Sequence, residues 1–249
     1  MKILYAGDNE QTTNHFFSGT ESVQVFQRQT KDYKHLLEAL ESHPEAEIDQ
    51  MTGAEAIEQF PATLEELERY DVVILSDLTR DTLLPHFLPD AIPGPNRVKL
   101  LRSFVTRGGG LIFCGGWMAF QGYHGVGNWY DSHLAEVLPL EIQTIPDDRI
   151  EAPEGVDIEV VNTTHPVMDG IDWDETPPLY GYNETAGIVD GGELLATVNG
   201  EALLGVTTYG EGRVLAYASD PAPKWGLAFL EWEGYEQLWE QALEWVSSA

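Results

Sequence analysis

The chain has 249 residues and carries 42 Asp and Glu against 13 Lys and Arg, a formal net charge of −29 at pH 7. A negative field of this size repels nucleic acid and anionic membranes, so neither is expected as a partner. High salt would screen the self-repulsion of so many carboxylates, which favours a cytoplasmic protein of a salt-loving organism. The single cysteine excludes an internal disulfide and a cysteine-based zinc cluster.

The first half of the chain alternates apolar strands with amphipathic helices. Strands are predicted at Lys2 to Ala6, Glu47 to Thr52, Asp71 to Asp77 and Leu111 to Cys114. Helices are predicted over Asp32 to Ser42, from the capping box at Thr63, and over Asn96 to Arg107. The polar residues 10–30 are expected to form a long loop. The alternation is typical of βαβ units, and no signal peptide or apolar membrane span is recognisable.

The second half of the chain is richer in antiparallel signals. Strands are predicted at Glu136 to Ile142, Asp157 to Asn162, Glu193 to Val198, Leu203 to Tyr209 and Arg213 to Ser219. A tight hairpin turn at Gly210 joins the last two, and a helix from Gly234 to Ser247 closes the chain. We therefore expect one α/β domain over residues 1–249, with a mostly parallel sheet extended by antiparallel strands.

Three aspartates, Asp8, Asp77 and Asp220, each close a predicted core strand. Ligands bind at the carboxyl ends of the strands in open α/β sheets, so these side chains predict a shared site for acid/base chemistry. His124 and His133 flank a nearby loop, and His124 is a further catalytic candidate. No tight metal-ligand spacing accompanies them, and neither a metal nor a cofactor is expected. Each aspartate alone is equally compatible with a turn or a helix cap.

A loop rich in glycine and aromatic residues runs from Trp117 to Asp131, directly after the predicted strand that ends at Cys114. Aromatic faces with amide and carboxylate acceptors are what a polyol or sugar pocket needs. Asn183 and Trp225 come from later loops that should meet the same edge of the sheet. The expected ligand contacts are Asp8, Trp117, Gln121, Trp129, Asp131, Asn183 and Trp225. The alternative is that the tryptophan side chains cover the hydrophobic core or form the interface of a homo-oligomer.

Segments along nearly the whole chain resemble the class I glutamine amidotransferase-like superfamily. They are Tyr70–Asp77, Pro95–Arg102, Gly108–Leu111, Phe120–Gly122, Glu136–Pro139, His165–Val167, Pro178–Asn183, Gly210–Val214, Ala218–Ala222 and Trp232–Tyr235. Within the superfamily the chain is most similar to a group called "putative glutamine amidotransferases", which is related to trehalose-utilisation-type proteins. The resemblance implies a three-layer, flavodoxin-like α/β fold with a mostly parallel sheet.

The resemblance also implies a test for a catalytic cysteine. Active members carry a Cys in a Gly-x-Cys-x-Gly turn after a strand, and a His-x-Glu arrangement follows the last core strand. Cys114 lacks the preceding glycine and stands one position before the expected turn apex, which would be Gly115. Asp220 occupies the place of the histidine, and His165 looks like the cap of a short turn. We therefore expect Cys114 to be a buried thiol.

Three functions remain open from the sequence. The first is a domain without an intact Cys-His-Glu triad that binds or hydrolyses a small polar, carbohydrate-like metabolite. The second is an active glutaminase or cysteine hydrolase with Cys114 as the nucleophile, and the third is a non-catalytic domain whose aromatic loops build an oligomer. Fold alone cannot separate them, because function is determined by the site.

Overall fold

The computed structural model describes residues 1–9, 11–18, 21–84 and 94–248, and for 11–18 and 21–28 it describes the backbone alone. The strands are β1 Lys2–Gly7, β2 Gln11–Ser18, β3 Glu21–Gln29, β4 Glu47–Met51, β5 Val72–Ser76, β6 Gly110–Cys114, β7 Leu140–Ile142, β8 Arg149–Val156, β9 Ile158–Val160, β10 Leu179–Asn183, β11 Thr185–Ile188, β12 Glu193–Val198, β13 Glu201–Tyr209 and β14 Gly212–Tyr217. The helices are α1 Tyr33–Glu41, α2 Gly53–Gln59, α3 Leu64–Leu67, α4 Arg97–Thr106 and α5 Gly234–Ser247.

An eight-stranded sheet forms the centre, in the order β4-β1-β5-β6-β14-β13-β12-β9. The first five strands in this order are parallel, and β13, β12 and β9 extend the sheet in antiparallel fashion. The parallel part has the strand order of a flavodoxin-like fold, in which the connections change direction between β1 and β5. This arrangement confirms the predicted α/β class and places a topological switch point between these two strands.

The sequence explains why the parallel strands are central. Strands β5 and β6 are buried along their whole length, as continuous apolar strands covered on both faces should be. Helix α5 packs its apolar side, which includes Leu238, Trp239 and Leu243, against β5, β6 and β14. Helix α1 in turn contacts α5. No helix in the described part of the chain is both long and apolar enough to cross a membrane.

The prediction of a long loop over residues 10–30 is wrong, because β2 and β3 pair there as an antiparallel hairpin. Threonine, valine and phenylalanine in this segment have high strand propensity. The loop prediction was based on the polar composition of the segment and did not take this propensity into account. The prediction of a strand from Glu136 is also too long. Residues before Leu140 form turns, and only β7 is extended.

Several elements were not predicted from the sequence. Helix α2 begins at a capping box in which Thr52 and Glu55 cap each other reciprocally. Strands β8 and β10 pair in a small two-stranded sheet, and β11 pairs with β7 in another. Both of these small sheets lie outside the central one, and β10 delivers Asn183 to the carboxyl edge of the central sheet.

Candidate functional site

Four adjacent strands of the sheet, β1, β5, β6 and β14, bring the candidate catalytic residues to one edge. Asp8 directly follows β1, Asp77 directly follows β5, and Cys114 is the last residue of β6. Asp220 lies three residues beyond the end of β14. Asp8 and Asp77 flank the switch point, where ligands bind in folds of this class. All three carboxyl groups interact electrostatically with one another.

Asp8 is held in a buried and conformationally unusual position. Asp8 is only 3% exposed, and its backbone has a left-handed φ of 45°. The backbone N–H donates to the Ser76 carbonyl at 3.1 Å, and the Tyr5 hydroxyl donates to Oδ2 of the carboxyl. Burial, reinforced by the charge of Asp77, raises the pKa of Asp8 to about 7. This carboxyl therefore exchanges its proton near neutral pH.

Asp220 occupies a similar environment on the other side of the site. It is 4% exposed, and its Oδ1 accepts a hydrogen bond from the Ala222 backbone at 2.9 Å. The Tyr235 hydroxyl of α5 donates to the Pro221 carbonyl at 2.6 Å and so fixes the segment that carries Asp220. Burial, followed by the charges of Asp8 and Asp77, raises the pKa of Asp220 well above its usual value. Two buried carboxyls in each other's field hold protons that separate carboxyls would release.

Asp77 connects the end of β5 to the loop that follows β6. Its φ of 44° is left-handed, and its Oδ1 accepts a hydrogen bond from the Met118 backbone. A side chain at Gly116 would collide with the Asp77 carboxyl, since a Cβ built there lies 2.4 Å from Oδ1. The glycine thus permits the close approach of the loop to this carboxylate.

Cys114 is fully buried and faces helix α5. Gly110, four residues earlier on the same strand face, points at the backbone of Val246 in α5. Burial, with the charges of Asp8 and Asp220, raises the pKa of the Cys114 thiol well above its ordinary value. No imidazole among the described residues acts on it. A thiol held neutral and out of contact with solvent is a poor nucleophile.

The turn apex after Cys114 offers no space for another nucleophile. A Cβ at Gly115 would lie 2.5 Å from the Asn183 side-chain oxygen and 2.9 Å from the Ala218 backbone. The Asn183 amide fills this space, accepting from the Gly116 N–H at 2.9 Å and donating to the Gly116 carbonyl at 3.1 Å. Asn183 therefore has a structural role at the strand end.

Asp148 was not predicted as a site residue, because in the sequence it lies in a bend rich in proline and aspartate. It is fully buried and accepts hydrogen bonds from the backbones of Gln121 and Gly122, both at 2.8 Å. The Asn183 amide donates a third at 2.9 Å. Asp148 thereby fastens the aromatic loop to β10, and only long-range contacts reveal this. The Gln121 side chain is directed to the Ile145 carbonyl, at 3.4 Å.

Two of the predicted ligand contacts are core residues instead. Trp129 is fully buried, donates its indole N–H to the Leu78 carbonyl at 2.8 Å, and packs edge-on against Phe113. Trp225 is 2% exposed and lies against Gly181, where a Cβ would be 2.2 Å from the indole nitrogen. Their rings have no open face for a ligand, so the prediction of a sugar contact is wrong for both.

The remaining predicted residues lie on the surface. Trp117 is partly exposed and stacks on Tyr123, with 5.8 Å between ring centroids. The Arg149 guanidinium lies 4.4 Å from each of these rings, and Lys224 approaches Trp117 at 5.4 Å. Trp117 therefore forms an aromatic rim beside Asp77, and Lys224 also acts electrostatically on Asp220.

His124, His133 and Asp131 lie at exposed or partly exposed positions. His124 has a 70% exposed side chain and pairs with Asp147 at 3.8 Å, and Asp131 is exposed. His133 pairs with Glu136 at 3.1 Å. A catalytic role for His124 therefore stays a prediction, and its observed partner is Asp147 rather than one of the three aspartates. His165 accepts from the Val167 backbone at 3.2 Å, which is the cap expected from the sequence.

The three aspartates do not form a metal-ligating set in the described part of the chain. The one set of three potential ligand atoms found there within 4.8 Å of one another belongs to His43, Glu240 and Glu244, where α5 meets the end of α1. His43 Nδ1 accepts a backbone hydrogen bond from Glu45 at 3.3 Å. A metal-binding imidazole usually donates through its second nitrogen, so this hydrogen bond opposes a metal at Nε2.

The fold and the site together define an α/β protein of the class I glutamine amidotransferase-like type whose strand ends carry carboxyl groups. The model of the family described as "Putative glutamine amidotransferase" matches residues 2–248, and the chain belongs to this family. No curated protein matches the chain.

Solved structures agree with the family assignment. Cytoplasmic proteins STM3548 and STM1381 from Salmonella typhimurium are each 31% identical, with a TM-score of 0.91 and 99% of both chains covered. A ThuA-like protein from Parabacteroides merdae is 13% identical, with a TM-score of 0.53 over 99% of this chain and 90% of the other. At that identity the likeness shows the fold alone. The suspected relation to trehalose-utilisation-type proteins is thus confirmed at the level of fold.

Proposed function

We propose that the protein binds a small, neutral, polyhydroxylated metabolite of the carbohydrate type and acts on it through Asp8 and Asp220. The observation that carries this proposal is the pair of buried carboxyls with raised pKa at the carboxyl edge of the sheet. Asp8, whose pKa is about 7, can donate a proton in one step and accept it in another near neutral pH, and the raised pKa of Asp220 favours a carboxyl that holds its proton beside it. They are arranged for acid/base chemistry without a cysteine nucleophile.

The charges around the site support a neutral ligand. Asp8, Asp77 and Asp220 form an acidic edge in a chain whose formal charge is −29, so an anionic ligand is repelled. A hydroxyl can donate to an ionised carboxyl and accept from a protonated one. The exposed part of Trp117 adds an aromatic surface at the rim, and carbohydrate rings pack well against such surfaces.

Binding of simple polyols tests the proposal. D-glucose, myo-inositol and glycerol would be titrated into the protein by calorimetry, with the melting temperature as a second readout. At least one is expected to bind, and Asp220→Asn should weaken its affinity about fivefold or more, since a buried hydrogen-bonding group left without its partner costs about 1–3 kcal/mol. Asp190→Asn, which removes an exposed charge in the turn before β12, is the control and should leave the affinity unchanged. A panel without any ligand, or unchanged affinity in Asp220→Asn, would contradict the proposal.

The buried thiol makes a separate prediction. Iodoacetamide is expected to leave the folded protein unlabelled and to label Cys114 only after denaturation, because the thiol is fully buried and its pKa is raised. The native protein should also fail to hydrolyse glutamine. Mass spectrometry before and after addition of urea measures the first outcome. Rapid labelling of the native protein would restore the cysteine hydrolase hypothesis.

A further inference from the structure

A layer of polar side chains lies between the sheet and helix α5, where an apolar core is the rule. Ser76, Cys114 and Tyr217 are register partners on the neighbouring strands β5, β6 and β14, so their side chains share one face. Trp239 of α5 packs edge-on against Tyr217, with 5.6 Å between ring centroids. We call Ser76, Cys114, Tyr217 and Trp239 the inner polar layer.

Three atoms of the inner polar layer, and one of the adjoining Asp8, have no hydrogen-bond partner among the described residues. They are Ser76 Oγ, Tyr217 OH, Trp239 Nε1 and Asp8 Oδ1. All four residues are at most 3% exposed. A buried polar group without a partner costs about 1–3 kcal/mol, and native proteins rarely retain one. Four such atoms in one region indicate that the layer is built to meet a polar occupant.

These groups are neighbours across three adjacent strands. Ser76 lies close enough to Asp8 and Cys114 to favour their ionised forms, yet neither contact has the distance and angles of a hydrogen bond. Ser219 likewise lies close enough to Tyr217 to favour the ionised form of its hydroxyl, but the two side chains do not form a hydrogen bond. Cys114 also interacts electrostatically with Tyr217. Ser76 and Tyr217 thus flank Cys114 on one face of the sheet, Trp239 packs against Tyr217, and Asp8 adjoins Ser76.

We propose that the inner polar layer is the inner end of the ligand site and receives vicinal hydroxyl groups of a neutral polyol. This inference rests on the proposed function and specifies which part of the ligand is buried. Trp239 supplies a donor only, the Asp8 carboxyl accepts when ionised and can donate when protonated, and the hydroxyls of Ser76 and Tyr217 serve as either. A hydroxyl group both accepts and donates, so neighbouring hydroxyls satisfy this mixed set. A carboxylate or phosphate cannot, because it would lie beside Asp8 and Asp220.

A crystal structure of the protein soaked in glycerol or myo-inositol tests this placement directly. The expected result is polyol density with hydroxyls within 3.2 Å of at least two of the four unpartnered atoms. Water molecules alone in contact with these atoms, or continuous side-chain packing with no occupant, would overturn the inference. Binding of the polyol only at the surface beside Trp117 would overturn it as well.

Two conservative substitutions provide the measurement in solution. Ser76→Ala and Tyr217→Phe each remove one hydroxyl, and each should weaken the affinity for the polyol found in the panel about fivefold to tenfold. Tyr70→Phe is the matched control, because its hydroxyl bonds Asp49 near the opposite, amino-terminal edge of the sheet. Affinity lost in Asp220→Asn but retained in both hydroxyl variants would contradict the inner polar layer and leave the proposed function intact. Affinity retained in Asp220→Asn would contradict the proposed function itself.

Discussion

Replacing Gly7 by alanine is expected to lower the free energy of unfolding by about 4 kcal/mol or more, among the largest effects of any single substitution here. A Cβ at this position would lie 1.7 Å from the Ser76 carbonyl oxygen, and the glycine has a φ of +128°. Neither the overlap nor the backbone angle can be relieved without separating β1 from β5. Urea denaturation followed by circular dichroism measures the loss.

Gly200→Ala is the matched control for this substitution. Gly200 also has a positive φ, of +80°, but nothing lies within 4 Å of a Cβ built there. Its replacement should therefore cost only the backbone term, about 1–2 kcal/mol. Equal losses in the two variants would show that the close contact between Gly7 and Ser76 is unimportant. A larger loss at Gly7 would identify it as the residue that sets the position of Asp8.

Replacing Asp8 by asparagine is expected to stabilise the protein at pH 8 and to weaken its dependence on pH. The pKa of Asp8 is about 7 in the folded protein and about 3.9 in an unfolded chain. Between these values the folded state binds a proton that the unfolded state has released, so the free energy of unfolding falls as pH rises. The loss is complete above pH 7 and is on the order of 4 kcal/mol. Asparagine carries no charge at any of these pH values, so the variant does not lose this free energy of unfolding as the pH rises.

Urea midpoints of the wild-type protein and Asp8→Asn between pH 4 and pH 9 measure this effect. The two curves should converge near pH 4 and separate as the pH rises, with the variant more stable. Asp190→Asn, the exposed control, should follow the wild-type curve closely. Parallel curves for wild type and Asp8→Asn would mean that the Asp8 carboxyl is not held protonated by its surroundings. The same variant should bind polyols more weakly, since stability at a buried carboxyl opposes function there.

The sequence was sufficient to predict the parallel part of the sheet and the position of its charged edge. A continuous apolar run such as β5 predicts a buried parallel strand, and an aspartate that follows such a strand lies at the carboxyl edge of the sheet. The burial of Cys114 also followed from its place before the turn. These features depend on local sequence patterns rather than on contacts between distant parts of the chain.

Other features depend on contacts between distant parts of the chain and could not be predicted. Trp117 and Trp129 belong to the same glycine-rich loop, yet one lies at the rim and the other fills the core beside Phe113. Nothing in the local pattern decides which ring turns inwards. The role of Asp148 likewise depends on Asn183, which is 35 positions away along the chain.

The crowding at Gly115 limits how this scaffold could change its chemistry. A cysteine introduced at the turn apex would have to displace the Asn183 amide and widen the separation between β6 and β14. Losing the Asn183 amide would free the Gly116 backbone and loosen the tie between Asp148 and β10. Thiol catalysis at this position would thus require several coordinated substitutions, and single-step laboratory evolution from this chain should instead explore new uses of the carboxyl pair.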